Sequence, residues 1–210
     1  MKMEEKTLSI RTLPSIRSIK RENWDRLLAR DNPFLRWDWL DMLEQTGCVD
    51  RKTGWIPHHL IAEHGNETVA ACPSYLKTHS MGEFVFDFEW ARYASQIGIR
   101  YYPKILIGIP FTPATGPRFL TATGWDRKRL IQQIGRTLIK QARENQVSTV
   151  HVNFCLEDEK EALMDIGFIP RIGLQYHWQN RGYGSFADYL LRLRSDRRSE
   201  ERRVGKECRL

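Results

Sequence analysis

Over residues 126–145 the chain repeats Leu130, Ile131, Ile134, Leu138, Ile139 and Ala142 at helical spacing, and a little further on Val150, Val152 and Phe154 alternate with His151 and Asn153. The first pattern is an amphipathic helix and the second, over 148–154, a strand. A helix with one apolar stripe, followed at once by a strand, has to lay that stripe on a sheet. The chain is thereby confined to a layered α/β architecture. The remaining periodicities agree. Strands are predicted over 7–13, 58–63, 68–77, 104–109 and 168–179, with His64-Gly65-Asn66 as the turn between the second and third. Pro73 makes the 68–77 strand an edge strand or a bulged one. Helices are predicted over 20–30, 34–45, 88–97, 157–166 and 186–193. Their stops fall at Gly47, Gly98 and Gly167, and Ser185 caps the last of them. The fold class is mixed α+β, with a central, mostly antiparallel sheet flanked by helices.

Composition excludes several alternatives. Hydrophobic residues make up 41% of the 210, enough for a core,. No apolar run approaches the ~18 residues of a membrane helix, so no membrane span is expected. The charged N-terminus lacks the apolar stretch of a secretory signal. A cytoplasmic protein is expected. Cys48, Cys72, Cys155 and Cys208 lie far apart without a C-x-x-C pair, so reduced thiols are expected and no metal site. His58 and His59 point to opposite faces of a strand and cannot chelate one ion. The net charge of +7 favours an anionic partner,. Residues 198–208 (RSEERRVGKEC) resemble the translation of a DNA-sequencing adapter. Residues 198–210 are therefore set aside as a foreign tail, and the natural chain is expected to continue beyond Arg197.

Four stretches carry chemistry. Lys77, His79, Ser80, Glu83 and Asp87 crowd around Gly82, where Glu83, Asp87 or His79 could take a proton from an attacking amine. A solvated loop with local ion pairs is the competing reading. Residues 110–118 hold three prolines and one glycine. Thr112, Thr115, Arg118 and nearby amides there suit a phosphate or carboxylate, against a plain rigid turn. Arg100 to Lys104 mixes cations with tyrosines, as stacking plus phosphate contact would need, against packing at a strand edge. Gln175 and His177 share one face of the last predicted strand. With His151 and Asn153 they could line one polar cleft, or they could simply face water.

Segments 75–87 (YLKTHSMGEFVFD), 100–104 (RYYPK), 110–118 (PFTPATGPR) and 175–180 (QYHWQN) together resemble the FemAB-like family of peptidoglycan biosynthesis/recognition proteins. That family lies within the GCN5-related N-acetyltransferase (GNAT) superfamily, and the resemblance runs from about residue 32 to 193. It implies a GNAT-like fold and an N-acyltransferase that moves an acyl or aminoacyl group onto an amine. The expected catalytic residues are Glu83, Asp87 and His177. The expected substrate-binding residues are Lys77, His79, Lys104, Thr112, Thr115, Arg118 and Gln175. Members with this pattern are about twice as long and carry two such halves. Residues 1–180 are accordingly read as the first GNAT-like domain and 181–197 as the opening of a second, so that the C-terminal half is missing. No firmly held cofactor is implied. Acyl-CoA or aminoacyl-tRNA would serve as donor, although the Arg/Gln-x-x-Gly-x-Gly/Ala signature for acetyl-CoA does not occur. Implied partners are an anionic small molecule or cell-wall precursor, and tRNA. A recognition module without chemistry is the alternative. A basic RNA-binding domain fits less well, because the positive charge is dispersed along the chain.

Overall fold

The computed structural model describes residues 8–29, 32–174 and 176–193. By its internal contacts the chain divides into two units, Met1–Arg171 and Ile172–Leu210.

The first unit is built on eight short strands: β1 (Ser9–Leu13), β2 (Trp55–Pro57), β3 (His59–His64), β4 (Glu67–Cys72), β5 (Ser74–Lys77), β6 (Lys104–Ile107), β7 (Leu120–Thr121) and β8 (Val150–Val152). They form two four-stranded sheets, ordered β1-β3-β4-β7 and β2-β5-β6-β8. The expected single sheet is thus split, and the sequence shows where. Pro73 cannot donate to a ladder and falls between β4 and β5, so one continuous extended run changes sheets at the proline. His58 marks the same break between β2 and β3, and its N–H donates to the Ser74 carbonyl at 2.8 Å. All pairings are antiparallel except β6 with β8, which run parallel.

Helices cover both faces. The helix α4 (Arg127–Glu144) buries Leu130, Ile131, Ile134, Leu138 and Ala142 against Leu60, Ala62, Ile105 and Ile107. Asp126 caps it by accepting from the Arg129 N–H at 3.0 Å,. Gly135 lets α5 (Glu157–Met164) approach closely: a Cβ there would stand 2.6 Å from Ile166 Cδ1. On the opposite face, α1 (Arg21–Asp25) and α2 (Trp37–Gln45) close over Ile61, Ala71 and Leu120. Trp24 anchors that layer, buried and donating to the Leu35 carbonyl at 2.8 Å. Two loops cross these layers. Residues 78–87 lead into α3 (Phe88–Gln96), and residues 108–119 carry the prolines.

In the second unit, Ser185 caps α6 (Phe186–Leu191) through the Asp188 N–H at 3.1 Å, as its sequence indicates. Tyr183 and Tyr189 pack ring against ring at 5.4 Å. The strand predicted over 168–179 is not formed among the described residues of that stretch. Ile169 and Tyr176 are exposed, and Ile172 is 96% exposed. Alternation makes a strand only where another strand offers a ladder. The predicted tail, 198–210, lies outside the described residues.

Candidate functional site

Strand register assembles the site. Antiparallel pairing sets Lys77 of β5 opposite Lys104 of β6, and Trp55 of β2 opposite Lys77. Opposed residues share a face. Trp55, Lys77 and Lys104 therefore stand in a row across one end of the sheet. His151 of β8 lies beside Leu106, two residues along the same face,. Both lysines are fully buried. Two buried cations side by side need anions, and the segment after β5 supplies them.

That segment turns its polar residues inward. Gly82 has φ +78°, and the Phe111 ring would lie 2.7 Å from any Cβ placed there, so only glycine fits. Phe84 and Phe86 also take left-handed φ values, +58° and +50°, which bulky residues seldom adopt. This backbone throws both phenyl rings outward and buries Glu83 and Asp87. The Lys104 ammonium then stands 2.7 Å from Asp87 Oδ2 and 2.9 Å from Glu83 Oε2, and donates to Ser80 Oγ at 2.7 Å. Tyr101 donates its hydroxyl to Asp87 at 2.7 Å, and the Ser80 and Tyr102 hydroxyls share a hydrogen bond of the same length. Lys77 Nζ sits 3.7 Å from the centroid of Trp55 and donates to the Met81 carbonyl at 3.3 Å.

The four charges are not equivalent. Burial pushes the Asp87 carboxyl up, but Lys104, Ser80 and Tyr101 together outweigh it and hold the group at about 2,. Asp87 is therefore a fixed anion and a poor proton acceptor. Glu83 is raised, because burial outweighs the pull of Lys104. Lys104 meets Glu83 through Oε2 alone, and Glu83 Oε1 and Asp87 Oδ1 have no hydrogen-bond partner. Burial lowers Lys77 to about 7, with Glu83 opposing that shift and Lys104 adding to it. Burial, then Lys104, lowers His151 to about 4, so its imidazole is neutral at pH 7. Glu83, Asp87 and His151 bring one ligand atom each within 4.8 Å of one another, a set that could hold a metal ion. The Lys104 ammonium already stands against both carboxylates, so a metal ion would fit only with that lysine displaced.

Four of the residues expected from sequence thus come together: Lys77, Glu83, Asp87 and Lys104. His79 borders them. It is half-buried and accepts from the Met81 N–H at 3.2 Å, and burial and Lys77 lower its pKa. The others lie elsewhere. Thr112 donates to the Pro110 carbonyl at 3.0 Å, and Thr115 is exposed. Arg118 does not await an anion. It is buried, and its guanidinium donates to the carbonyls of Asn153, Gly116, Pro117 and Ala114 at 2.6–3.1 Å, which spends it on the shape of its own loop. The strand face expected to carry Gln175 and His177 is missing. His177 lies on exposed irregular backbone of the second unit, and Gln175 falls outside the described residues. Sequence reasoning overlooked Trp55, and it treated Tyr101, Tyr102 and His151 as separate features. The available signal was the pairing of a strand ending at Lys77 with one starting at Lys104.

The chain belongs to the FemAB-like family, described as peptidoglycan biosynthesis/recognition, whose model matches residues 15–209. The match runs across most of the segment set aside as a foreign tail. Comparison with curated proteins gives no match. Among solved structures, a ribosomal-protein-alanine N-acetyltransferase from Brucella melitensis biovar Abortus 2308 is 14% identical, with a TM-score of 0.49, covering 82% of this chain and 99% of its own. A glucosamine-6-phosphate N-acetyltransferase from Arabidopsis thaliana is 11% identical, with a TM-score of 0.47 and coverage of 83% and 99%. An aminoglycoside acetyltransferase from an uncultured soil metagenomic sample is 13% identical, with a TM-score of 0.45 and the same coverages.

Proposed function

We propose that this chain takes part in the transfer of an acyl or aminoacyl group onto an amine, with a cell-wall precursor as acceptor. The family description supports the precursor. One observation carries the chemistry: Glu83 is a buried carboxylate, raised in pKa, whose Oε2 meets the Lys104 ammonium at 2.9 Å while its Oε1 has no hydrogen-bond partner. Such a group is a competent acceptor for the proton of an ammonium, which has no lone pair to attack with until that proton leaves. The freed amine attacks the acyl carbonyl, and a C–N bond forms. The C–S bond of an acyl-CoA, or the C–O bond of an aminoacyl-tRNA, breaks, and its leaving group takes up a proton. Lys104 places positive charge beside the reacting carbonyl oxygen. Asp87, Ser80 and Tyr101 position Lys104 and do not themselves exchange protons. Because the Glu83 and Lys104 side chains are wholly covered, the reaction requires an opening that exposes them to substrate. We place the reaction in the cytoplasm, in keeping with the free thiols of Cys48, Cys72 and Cys155,.

That same closure favours a second reading, a binding module for a cell-wall precursor that performs no chemistry. One experiment separates the two. Acyl-CoA and aminoacyl-tRNA donors are offered with amine-bearing precursors to the wild type and to Glu83→Gln. Turnover should fall by about a hundredfold or more in the variant. Unchanged turnover in Glu83→Gln removes the assigned role, and precursor binding without turnover in the wild type supports the binding module.

A further inference from the structure

The outer surface of residues 81–99 inverts the usual distribution of side chains. Two of its three acids, Glu83 and Asp87, are buried, while Phe84, Phe86, Phe88, Trp90, Tyr93 and Ile97 are exposed, Phe86 by 77%. Single exposed apolar residues need no explanation, but a run of aromatics does. Two further facts show that this exposure is built in. Phe84 and Phe86 reach solvent only through left-handed backbone, which costs energy for such residues,. The helix α3 buries Ala94 alone, so little packing on its own fold holds it,.

Charge indicates what covers this face. With Glu83 and Asp87 turned in against Lys104, the outward acid is Glu89, which is paired with Arg92. Arg100 is exposed nearby, and the Arg171 guanidinium lies 4.8 Å from the Trp90 ring centroid. Three arginines, Arg92 within this stretch, Arg100 just after it and Arg171 against Trp90, therefore accompany one outward glutamate. Aromatic side chains suit the boundary between headgroups and acyl chains, and arginine stems can lie along apolar surface with their charges at phosphate level.

We propose that this face docks on the surface of an anionic phospholipid bilayer. The rings of Phe84, Phe86 and Trp90 enter the interfacial layer, and Arg92, Arg100 and Arg171 meet lipid phosphates. The inference is independent of the acyl-transfer reading, since Glu83→Gln leaves the face intact.

The test is co-sedimentation of the full chain with vesicles of phosphatidylcholine alone or mixed with phosphatidylglycerol. The wild type and Glu83→Gln should bind the mixed vesicles equally, and added salt should weaken that binding. The double variant Phe86→Ser with Trp90→Ser should bind about tenfold more weakly or worse, while unfolding at the wild-type temperature because both residues are exposed. Arg100→Glu, which leaves the rings in place, should lower binding to the anionic vesicles selectively. Failure of the wild type to pellet with anionic vesicles, or wild-type binding by the double variant, overturns the proposal. It is also overturned if ultracentrifugation finds a dimer, without vesicle binding, that the double variant dissolves. The face would then belong to a second copy of the chain.

Discussion

The buried ionic clusters around Glu159 and Lys104, both among the described residues of the first unit, are built to different standards. At Glu159 every oxygen is used. The carboxylate accepts from the backbone N–H groups of Arg118, Phe119 and Leu156 and from the Arg127 guanidinium, all within 3.1 Å. It ties the start of α5 to the end of the proline loop and to α4. At Lys104 the charges are matched, yet Glu83 Oε1 and Asp87 Oδ1 have no hydrogen-bond partner. A saturated network serves the fold, whereas a buried carboxylate with unused lone pairs is a poor way to stabilise one. The contrast marks Glu159 as a structural group and is the reason Glu83, rather than Glu159, is the carboxylate we propose for the chemistry.

Four measurements would break or sharpen that contrast. Lys104→Met should have the largest effect, because it strands two carboxylates in a dry interior. A loss of about 3–5 kcal/mol in urea-induced unfolding is expected, and a loss under about 1 kcal/mol would show that water already reaches the cluster. Glu159→Gln comes next. It keeps the shape but turns one acceptor into a donor facing N–H groups, for about 2–3 kcal/mol. The third is a slope rather than a single variant. Lys77 titrates at about 7 in the folded chain, against 10.5 for an ordinary lysine. Between those values the unfolded chain holds the extra proton, so stability should rise with pH from about 7 toward 10.5, by up to about 1.4 kcal/mol per unit. Lys77→Met should lack that rise, and an unchanged slope in the variant would place the titrating group elsewhere. Glu83→Gln should be the mildest, within about 1 kcal/mol of wild type. Its carboxyl is raised in the fold, so the stability it lends is present below the unfolded value and fades as pH rises. A penalty for Glu83→Gln equal to that for Glu159→Gln would erase the distinction.

The parts of this molecule legible from sequence are those set by local spacing. The stripe of α4, the cap at Ser185 and the short helix closed by Gly98 all follow from patterns within a few residues, whereas Pro73, expected to mark an edge or bulged strand, instead separates two strands that are each interior to a sheet. The failures are non-local. Residues 168–179 alternate convincingly, but no strand among the described residues pairs with them, and the polar face assigned to Gln175 and His177 goes with the missing ladder. Arg118 carries the right group for an anion, yet tertiary contacts turn it onto its own loop. Glu83, Asp87, Lys77 and Lys104 were recognisable as chemistry. Their burial was not, because it depends on the register between β5 and β6 and on three left-handed residues that put acids where phenylalanines would ordinarily go.

The change of sheets at His58 and Pro73 has a consequence for how the molecule matures. Each of two ribbons, β2 with β3 and β4 with β5, is shared between the sheets; a slip by one residue in the first would carry Trp55 off the face of Lys77, and in the second would carry Lys77 to the opposite side and leave Lys104 facing two acids alone,. The polar cluster therefore acts as a checkpoint on assembly. It can close only after both ribbons have rounded the corner correctly, and a misthreaded chain would be recognised by an uncompensated charge in its interior.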